Sequence, residues 1–330
     1  MSTASISVKK PGYFTQGELG PASNEFYREN GFLVVVDAVA PEEVDAMLGE
    51  TVAICRGERG EVFLEQPKTS AGEPAAAQAE ADLSDEAVIR SFLCIHQPHK
   101  ISEVMHRNLG QTAIREVLAG VIGPNVKCMQ SMLFIKAAGK PGQAWHQDED
   151  YIPTRDRSLA GAWIALDDAT VENGCLWVIP GSHEPGILWP QYPHNDPRFD
   201  CAEEAYDFPY ADEDAIPVEV PRGSIVFFNG YTLHRSLPNK AESGFRRVLV
   251  NHYMSAESYL PWHHEQGRAM ARQDYRDIVM IAGTDPYAWK GTRDIAKPHV
   301  RRDGQGGCGD GRLDLRTFKS TIGKANHKSG

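Results

Sequence analysis

Asn24–Asn30 followed by Gly31 has the polar and apolar spacing of a short helix with a glycine stop. The run Phe32–Val36 is then apolar at every position, the pattern of a strand buried on both faces. Pro41, Glu42 and Glu43 open an amphipathic helix that continues to about Arg56, with proline in the first turn and acids at the positive helix end. Val88–Ile95 reads as a strand. Ile101–Asn108 and Thr112–Ile122 read as amphipathic helices, the second stopped by Gly123 and Pro124. From Val126 the period shortens, and strands are expected at Val126–Ala137, Ala144–Gln147, Leu159–Leu166, Cys175–Ile179, Ser224–Asn229 and Arg246–Met254. Helices followed by many short strands imply an α+β chain with a sandwich or barrel core.

Three stretches depart from this texture. Ser70–Ala81, rich in Ala, Gly, Glu and Gln, reads as a surface insertion. His183–Asp214 carries Trp189, Tyr192, Tyr206, Phe208 and Tyr210 and reads as a long structured loop. After residue 257, helical patches are expected at Pro261–Tyr275 and Arg276–Gly283, then a glycine-rich run at Gly304–Gly311 and a basic end.

Composition narrows the class. With 34 Lys+Arg against 45 Asp+Glu, the 330 residues carry a net charge of −11, the wrong sign for coating nucleic acid or an anionic membrane. Cys55, Cys94, Cys128, Cys175, Cys201 and Cys308 form no C-x-x-C pair, which argues against a zinc finger or redox motif. Buried thiols in a reducing compartment are expected instead. Met1–Pro11 lacks the apolar core of a signal peptide, and no run suggests a membrane span, so a cytoplasmic protein is the expectation.

The sharpest chemical feature is His146 and Asp148. Two residues apart on a strand, they share a face and can converge on one point. Two histidines and a carboxylate on one octahedral face are the ligand set of non-haem Fe(II), with the other positions open for co-substrate and O2. His234, just beyond the apolar run Ser224–Asn229, is the candidate second histidine. Arg246 and Arg247 open the next strand. A guanidinium entering a β core needs a carboxylate partner, and a dicarboxylate co-substrate such as 2-oxoglutarate provides one. Alternation does not choose between the two arginines, because both faces of the strand are apolar.

The blocks Trp145–Asp148, Ala162–Asp168, Asn173–His183 and Gly223–Phe228 with His234 resemble the phytanoyl-CoA dioxygenase family, and Asn30–Val36 with Pro41–Val44 is similar to that family's N-terminus. The resemblance covers about residues 20–258. It implies Fe(II)/2-oxoglutarate chemistry on a double-stranded β-helix, a jelly-roll or cupin-like core flanked by helices. It implies His146, Asp148 and His234 as catalytic iron ligands, and Arg246 with Ser236 as the partners of the far 2-oxoglutarate carboxylate. Trp163 is implied beside the co-substrate, and Gln130 lies on a strand whose polar positions line the pocket.

One oxygenase domain over residues 1–330 is then expected: 20–125 as support, 126–256 as core with 183–214 inserted, and 257–330 as an extension. The expected reaction hydroxylates a C–H bond of a small organic substrate using O2, with release of succinate and CO2 and with ascorbate as reductant, in a monomer or homodimer. Neither nucleic acid nor membrane is an expected partner. Arg155, Arg157 and Lys136 are candidates to meet an anionic group, each set against a plain surface charge. His252, on the same strand face as Arg246, is either a substrate contact or a hydrogen-bonded core histidine. His183 is expected to shape a turn, and His263 with His264 to diverge on a helix. Asn173–Gly174 and Pro180–Gly181 are expected to be turns whose glycines supply the geometry. Rival readings are a halogenase-like relative, which needs a small residue where Asp148 stands, a zinc hydrolase on the same ligands, and a non-catalytic metal-binding β-barrel.

Overall fold

The computed structural model describes residues 6, 9–60, 62–64, 83–194, 196–200, 203–258, 278–292 and 297–302. The expectations for Ser70–Ala81, Pro261–Tyr275 with His263 and His264, Cys201, Cys308, Gly304–Gly311 and the basic end lie outside the described residues.

The Pro21–Asn30 helix ends where Gly31 takes a left-handed φ of 75° and donates its N–H to the Tyr27 carbonyl. A Cβ on Gly31 would meet His183 Nδ1 and Thr232 Oγ1 at 2.5 Å, so only glycine turns the chain here. The turn feeds the strand Phe32–Val35, whose four residues are all buried. Leu33 and Val35 pack with the helical layer, including Met47, Ile114 and Leu118. Phe32 and Val34 face the other way, toward Leu176, Val178 and Val218. An unbroken apolar run is the requirement of a strand with cover on both sides.

That strand belongs to a sheet of ten strands among the described residues. Its centre runs Phe32–Val35, Ile225–Asn229, Ala160–Ala165, Phe245–Ser255, Val126–Ala137, Phe92–His96, with each successive pair antiparallel. A second sheet of four strands, Ile216–Val218, Leu176–Val178, His234–Ser236 and Gln143–His146, lies over the face opposite the helices. Two antiparallel sheets closing on a shared apolar interior, with helices outside the larger one, form the expected jelly roll.

Differences from the sequence expectation are local. Val88–Ile95 is not one strand: Ser84 accepts a hydrogen bond from the Ala87 N–H and caps the helix Asp85–Arg90, and the strand begins at Phe92. Within Arg276–Gly283 the residues Val279–Ala282 form a strand rather than a helix, drawn to the Cys128 end of the Val126–Ala137 strand. The 183–214 segment contains a hairpin, Gln191–Pro193 against Glu203–Ala205. Trp189, Phe208 and Tyr210 pack on an apolar cluster that includes Trp145 and Leu233.

Candidate metal centre and co-substrate pocket

His146 is the last residue of its strand, and Asp148 begins the helical turn Asp148–Tyr151. The two residues therefore do not share the one strand face that the sequence suggests. They converge because the chain turns at Gln147, which brings the carboxylate back under the imidazole. His234 arrives from the adjacent strand, in direct antiparallel register with His146. One ligand atom from each of the three lies within 4.8 Å of the others, and all three residues are buried. Asp148 Oδ1 stands 3.7 Å from His146 Nε2 and 3.6 Å from His234 Nε2.

Hydrogen bonding decides which ring nitrogen is available. His146 Nδ1 faces the Ala144 carbonyl at 2.8 Å, and His234 Nδ1 faces the Thr232 carbonyl at 2.9 Å. A carbonyl only accepts, so both Nδ1 atoms carry the proton and both Nε2 atoms present a lone pair. Burial, with His146 beside it, pulls the His234 imidazole down to about 4, which keeps it neutral near pH 7. For Asp148 burial works upward, but His234, His252 and His146 together outweigh it and hold the carboxyl below the ordinary range. Two imidazoles and one carboxylate, the rings oriented by backbone carbonyls, are a donor set that fits a ferrous ion.

Arg246 settles on the cavity side. It is 3% exposed, and its Nε donates to the Gly174 carbonyl at 3.1 Å. Its guanidinium carbon sits 5.5 Å from the Trp163 ring centre. Burial draws its pKa down to about 10, so it stays charged at neutral pH. Arg247 turns to the opposite face and forms a bidentate pair with Asp167 at 2.7 and 2.8 Å. Trp163, Gln130, Ser236, His234, His146, Asp148 and Arg246 all line one cavity of about 340 Å³. The residues singled out from sequence are thus brought together.

Other residues were missed or undervalued. His252 Nε2 reaches Asp148 Oδ2 at 3.0 Å, which makes it a partner of the carboxylate rather than a free pocket histidine. Lys136 is buried at 6% exposure and not a surface charge; burial and the neighbouring Arg246 push its pKa well below the ordinary value. Nothing in the local sequence marks this, because it follows from the antiparallel register that sets Lys136 opposite Arg246. Arg155 is committed to the Glu257 carbonyl and the Tyr287 hydroxyl, and Arg157 lies over the Tyr231 ring. Gln147 is buried, and its amide donates to the Ile187 and Tyr231 carbonyls while accepting the Trp189 N–H. The residue between two candidate ligands thereby pins the long loop. His183, as expected, braces its turn, with Nε2 against the Arg28 carbonyl at 2.9 Å.

Known proteins share this arrangement of chain. Peroxisomal phytanoyl-CoA dioxygenase of Rattus norvegicus is 28% identical over 245 residues, spanning 71% of this chain and 68% of the rat protein. The solved structure of a non-haem monooxygenase, ThoJ apo, matches with a TM-score of 0.59 at 20% identity, over 91% of this chain and 94% of that one. The epimerase SnoN, in complex with Fe3+, alpha ketoglutarate and nogalamycin RO, matches with a TM-score of 0.54 at 18% identity, over 76% of this chain and 96% of that one. At such identities the structural likeness speaks for the fold.

A jelly roll with this donor set facing one cavity belongs to the non-haem iron, 2-oxoglutarate-dependent oxygenases. The family model for phytanoyl-CoA dioxygenase (PhyH) matches residues 27–248, more than half of the sequence, and the chain belongs to that family.

Proposed function

We propose that His146, Asp148 and His234 hold ferrous iron, that Arg246 and Ser236 bind the far carboxylate of 2-oxoglutarate, and that Trp163 and Gln130 wall the co-substrate. The observation that carries the assignment is the single cavity lined at once by three convergent ligand atoms and a buried guanidinium. Bound iron, with 2-oxoglutarate and O2, supplies the oxidising chemistry: the keto acid is split to succinate and CO2, and one oxygen atom enters a C–H bond of the substrate.

The chain's own residues do the positioning. His252 holds Asp148 Oδ2, which leaves Oδ1 turned toward the two imidazoles. With Nε of Arg246 taken by Gly174, its terminal nitrogens remain for a carboxylate, the bidentate geometry that guanidinium suits. Met132, Phe134, Ile152, Phe228 and Val250 give the cavity apolar walls that exclude water from the reacting groups. Tyr151 lines the same cavity while 44% exposed, and its hydroxyl donates to Gln191 of the 183–214 segment. That segment and Glu149–Arg157 are the walls on which a bulky, partly apolar organic substrate would rest.

The helices before residue 125 and the β core act as one oxygenase unit, a reading supported by the Phe32–Val35 strand lying inside the large sheet. Ascorbate is the reductant we assign for keeping the iron ferrous. A cytoplasmic location is supported by four buried free thiols, Cys55, Cys94, Cys128 and Cys175. Among the described residues no helix is long and apolar enough to cross a membrane. A zinc hydrolase would have no use for the guanidinium behind the ligands, and Asp148 speaks against a halogenase-like site.

The test is incubation of purified protein with Fe(II), ascorbate, 2-oxoglutarate and a panel of small organic substrates. Succinate release coupled to a product heavier by one oxygen atom is expected. Absence of iron binding together with absence of succinate for every substrate would overturn the assignment.

A further inference from the structure

The buried Lys136 is left over once the iron ligands and Arg246 are assigned. It stands directly across the antiparallel ladder from Arg246, so both side chains leave the sheet on the same face. Their exposures are 6% and 3%; among the described residues neither forms a close ion pair, while Asp200 acts on Lys136 and Asp167 on Arg246 from further off. Burial and the neighbouring Arg246 disfavour the charged form of Lys136, with Asp200 working the other way, and an anion held at Arg246 offsets that cost.

The hydrogen bonds say how Lys136 takes part. Its Nζ donates to Ser236 Oγ at 2.8 Å and to the Leu237 carbonyl at 2.7 Å, with the Gly174 carbonyl at 3.5 Å. Ser236 Oγ also accepts the backbone N–H of Gln143 at 3.3 Å. A hydroxyl has two acceptor sites and one proton to give. With Lys136 protonated, both acceptor sites of Ser236 are filled, and its O–H can only donate. Among the described residues no protein group receives it, while Ser236 lines the cavity beside Arg246.

We infer that Lys136 is a positioning residue for the co-substrate: by filling an acceptor site of Ser236 it makes that hydroxyl an obligate donor to the far carboxylate of 2-oxoglutarate, and, protonated against that carboxylate, it adds a second cation beside Arg246. The inference rests on the assignment of Arg246 and Ser236 to that carboxylate. Without Lys136, Ser236 can rotate to accept from Arg246 or from water, and the carboxylate loses both a directed donor and a charge. Lys136 is not among the residues lining the cavity with the three ligands, so it would act on the co-substrate through Ser236 and Arg246.

The experiment is anaerobic calorimetry of the Fe(II)-loaded protein with two ligands, 2-oxoglutarate and 2-oxobutyrate, which keeps the keto-acid head but lacks the far carboxylate. Lys136→Met is expected to weaken 2-oxoglutarate about 10- to 100-fold, the loss of a charge-assisted hydrogen bond, and to leave 2-oxobutyrate within about 2-fold. Ser236→Ala is expected to weaken 2-oxoglutarate in the wild-type background and to add about 2-fold or less in the Lys136→Met background, since the lysine acts through the serine. A purely structural lysine, tying the Gly174 and Leu237 turns together, would weaken both ligands alike, and that result overturns the inference. So does unchanged 2-oxoglutarate affinity in Lys136→Met. If wild-type protein binds 2-oxoglutarate no better than 2-oxobutyrate, the Arg246 assignment itself falls and takes the inference with it. Iron affinity reports whether each variant has folded. Should Lys136→Met fail that control, Lys136→Gln, which keeps a neutral donor, is read in the same way, with a smaller loss for 2-oxoglutarate alone as the expected result.

Discussion

His252 donates from Nε2 to Asp148 Oδ2, so the two oxygens of that carboxylate have different surroundings: one is held, and the other faces His146 and His234. Removing the holder leaves Asp148 free to rotate, and partners of this kind are worth about 10- to 100-fold in metal affinity. His252→Phe is therefore expected to raise the iron dissociation constant by about that factor. His146→Ala or Asp148→Ala should abolish both iron binding and succinate formation. Metal titration separates the two classes, and equal losses in all three variants would mean that His252 is itself a ligand. A second expectation concerns thiols. Burial pushes Cys128 and Cys175 up to about 12, so each is almost wholly protonated at pH 8. Alkylation followed by peptide mass spectrometry should find both unmodified in native protein and modified after denaturation; rapid native labelling would contradict the burial.

Two turns carry the element scale. Gln147 makes three hydrogen bonds from a buried position, two of them to the backbone of Ile187 and Trp189. Gln147→Ala orphans those groups, at about 1–3 kcal/mol for each one left buried and unpaired. The variant is expected to keep its iron but to lose hydrogen-exchange protection at Trp189. Full protection there would show that the aromatic cluster, not the glutamine, holds the loop. The Asn173–Gly174 turn works on the other side of the cavity. Gly174 has a φ of 82°, and a Cβ on it would meet the Leu237 carbonyl oxygen at 2.3 Å. Its own carbonyl receives Arg246 Nε. Gly174→Ala is expected to cost about 1–3 kcal/mol of stability through backbone strain and to weaken 2-oxoglutarate, read by denaturant unfolding and calorimetry. Loss of stability with unaltered 2-oxoglutarate affinity would separate the turn from the clamp.

At the scale of the molecule, the strand Phe245–Ser255 divides two tasks by alternation. Leu249 faces the helical layer and Val250 faces the cavity. Leu249→Ala should lower unfolding free energy by about 2–5 kcal/mol with 2-oxoglutarate affinity intact in the folded protein. Val250→Phe should narrow the cavity and change which substrates are turned over. Succinate yields across a substrate panel, set beside denaturation midpoints, check whether the two faces are as independent as the sheet makes them.

The apolar period and the glycine turns were legible in the chain because they depend on local geometry; His146, Asp148 and His234 were named through their narrow chemistry and the family resemblance, while the turn at Gln147 that brings the first two together was not foreseen. The layered α+β architecture followed from the same signals, and the short helix capped by Ser84 was misread because Val88 and Ile89 fit a strand equally well. The choice of Arg246 over Arg247 was beyond alternation, since Val248, Leu249 and Val250 are apolar on both faces. The family resemblance named Arg246, and the closing of two sheets over a common interior is what puts its side chain in the cavity. The sheet also places Lys136, which is a neighbour of Arg246 across the ladder though 110 positions away along the chain. His252 and Asp148 likewise meet through register. Sequence determines which groups can do chemistry. Which of them share a cavity is set by strand pairing between distant segments, and pairing depends on the packing of the whole sheet.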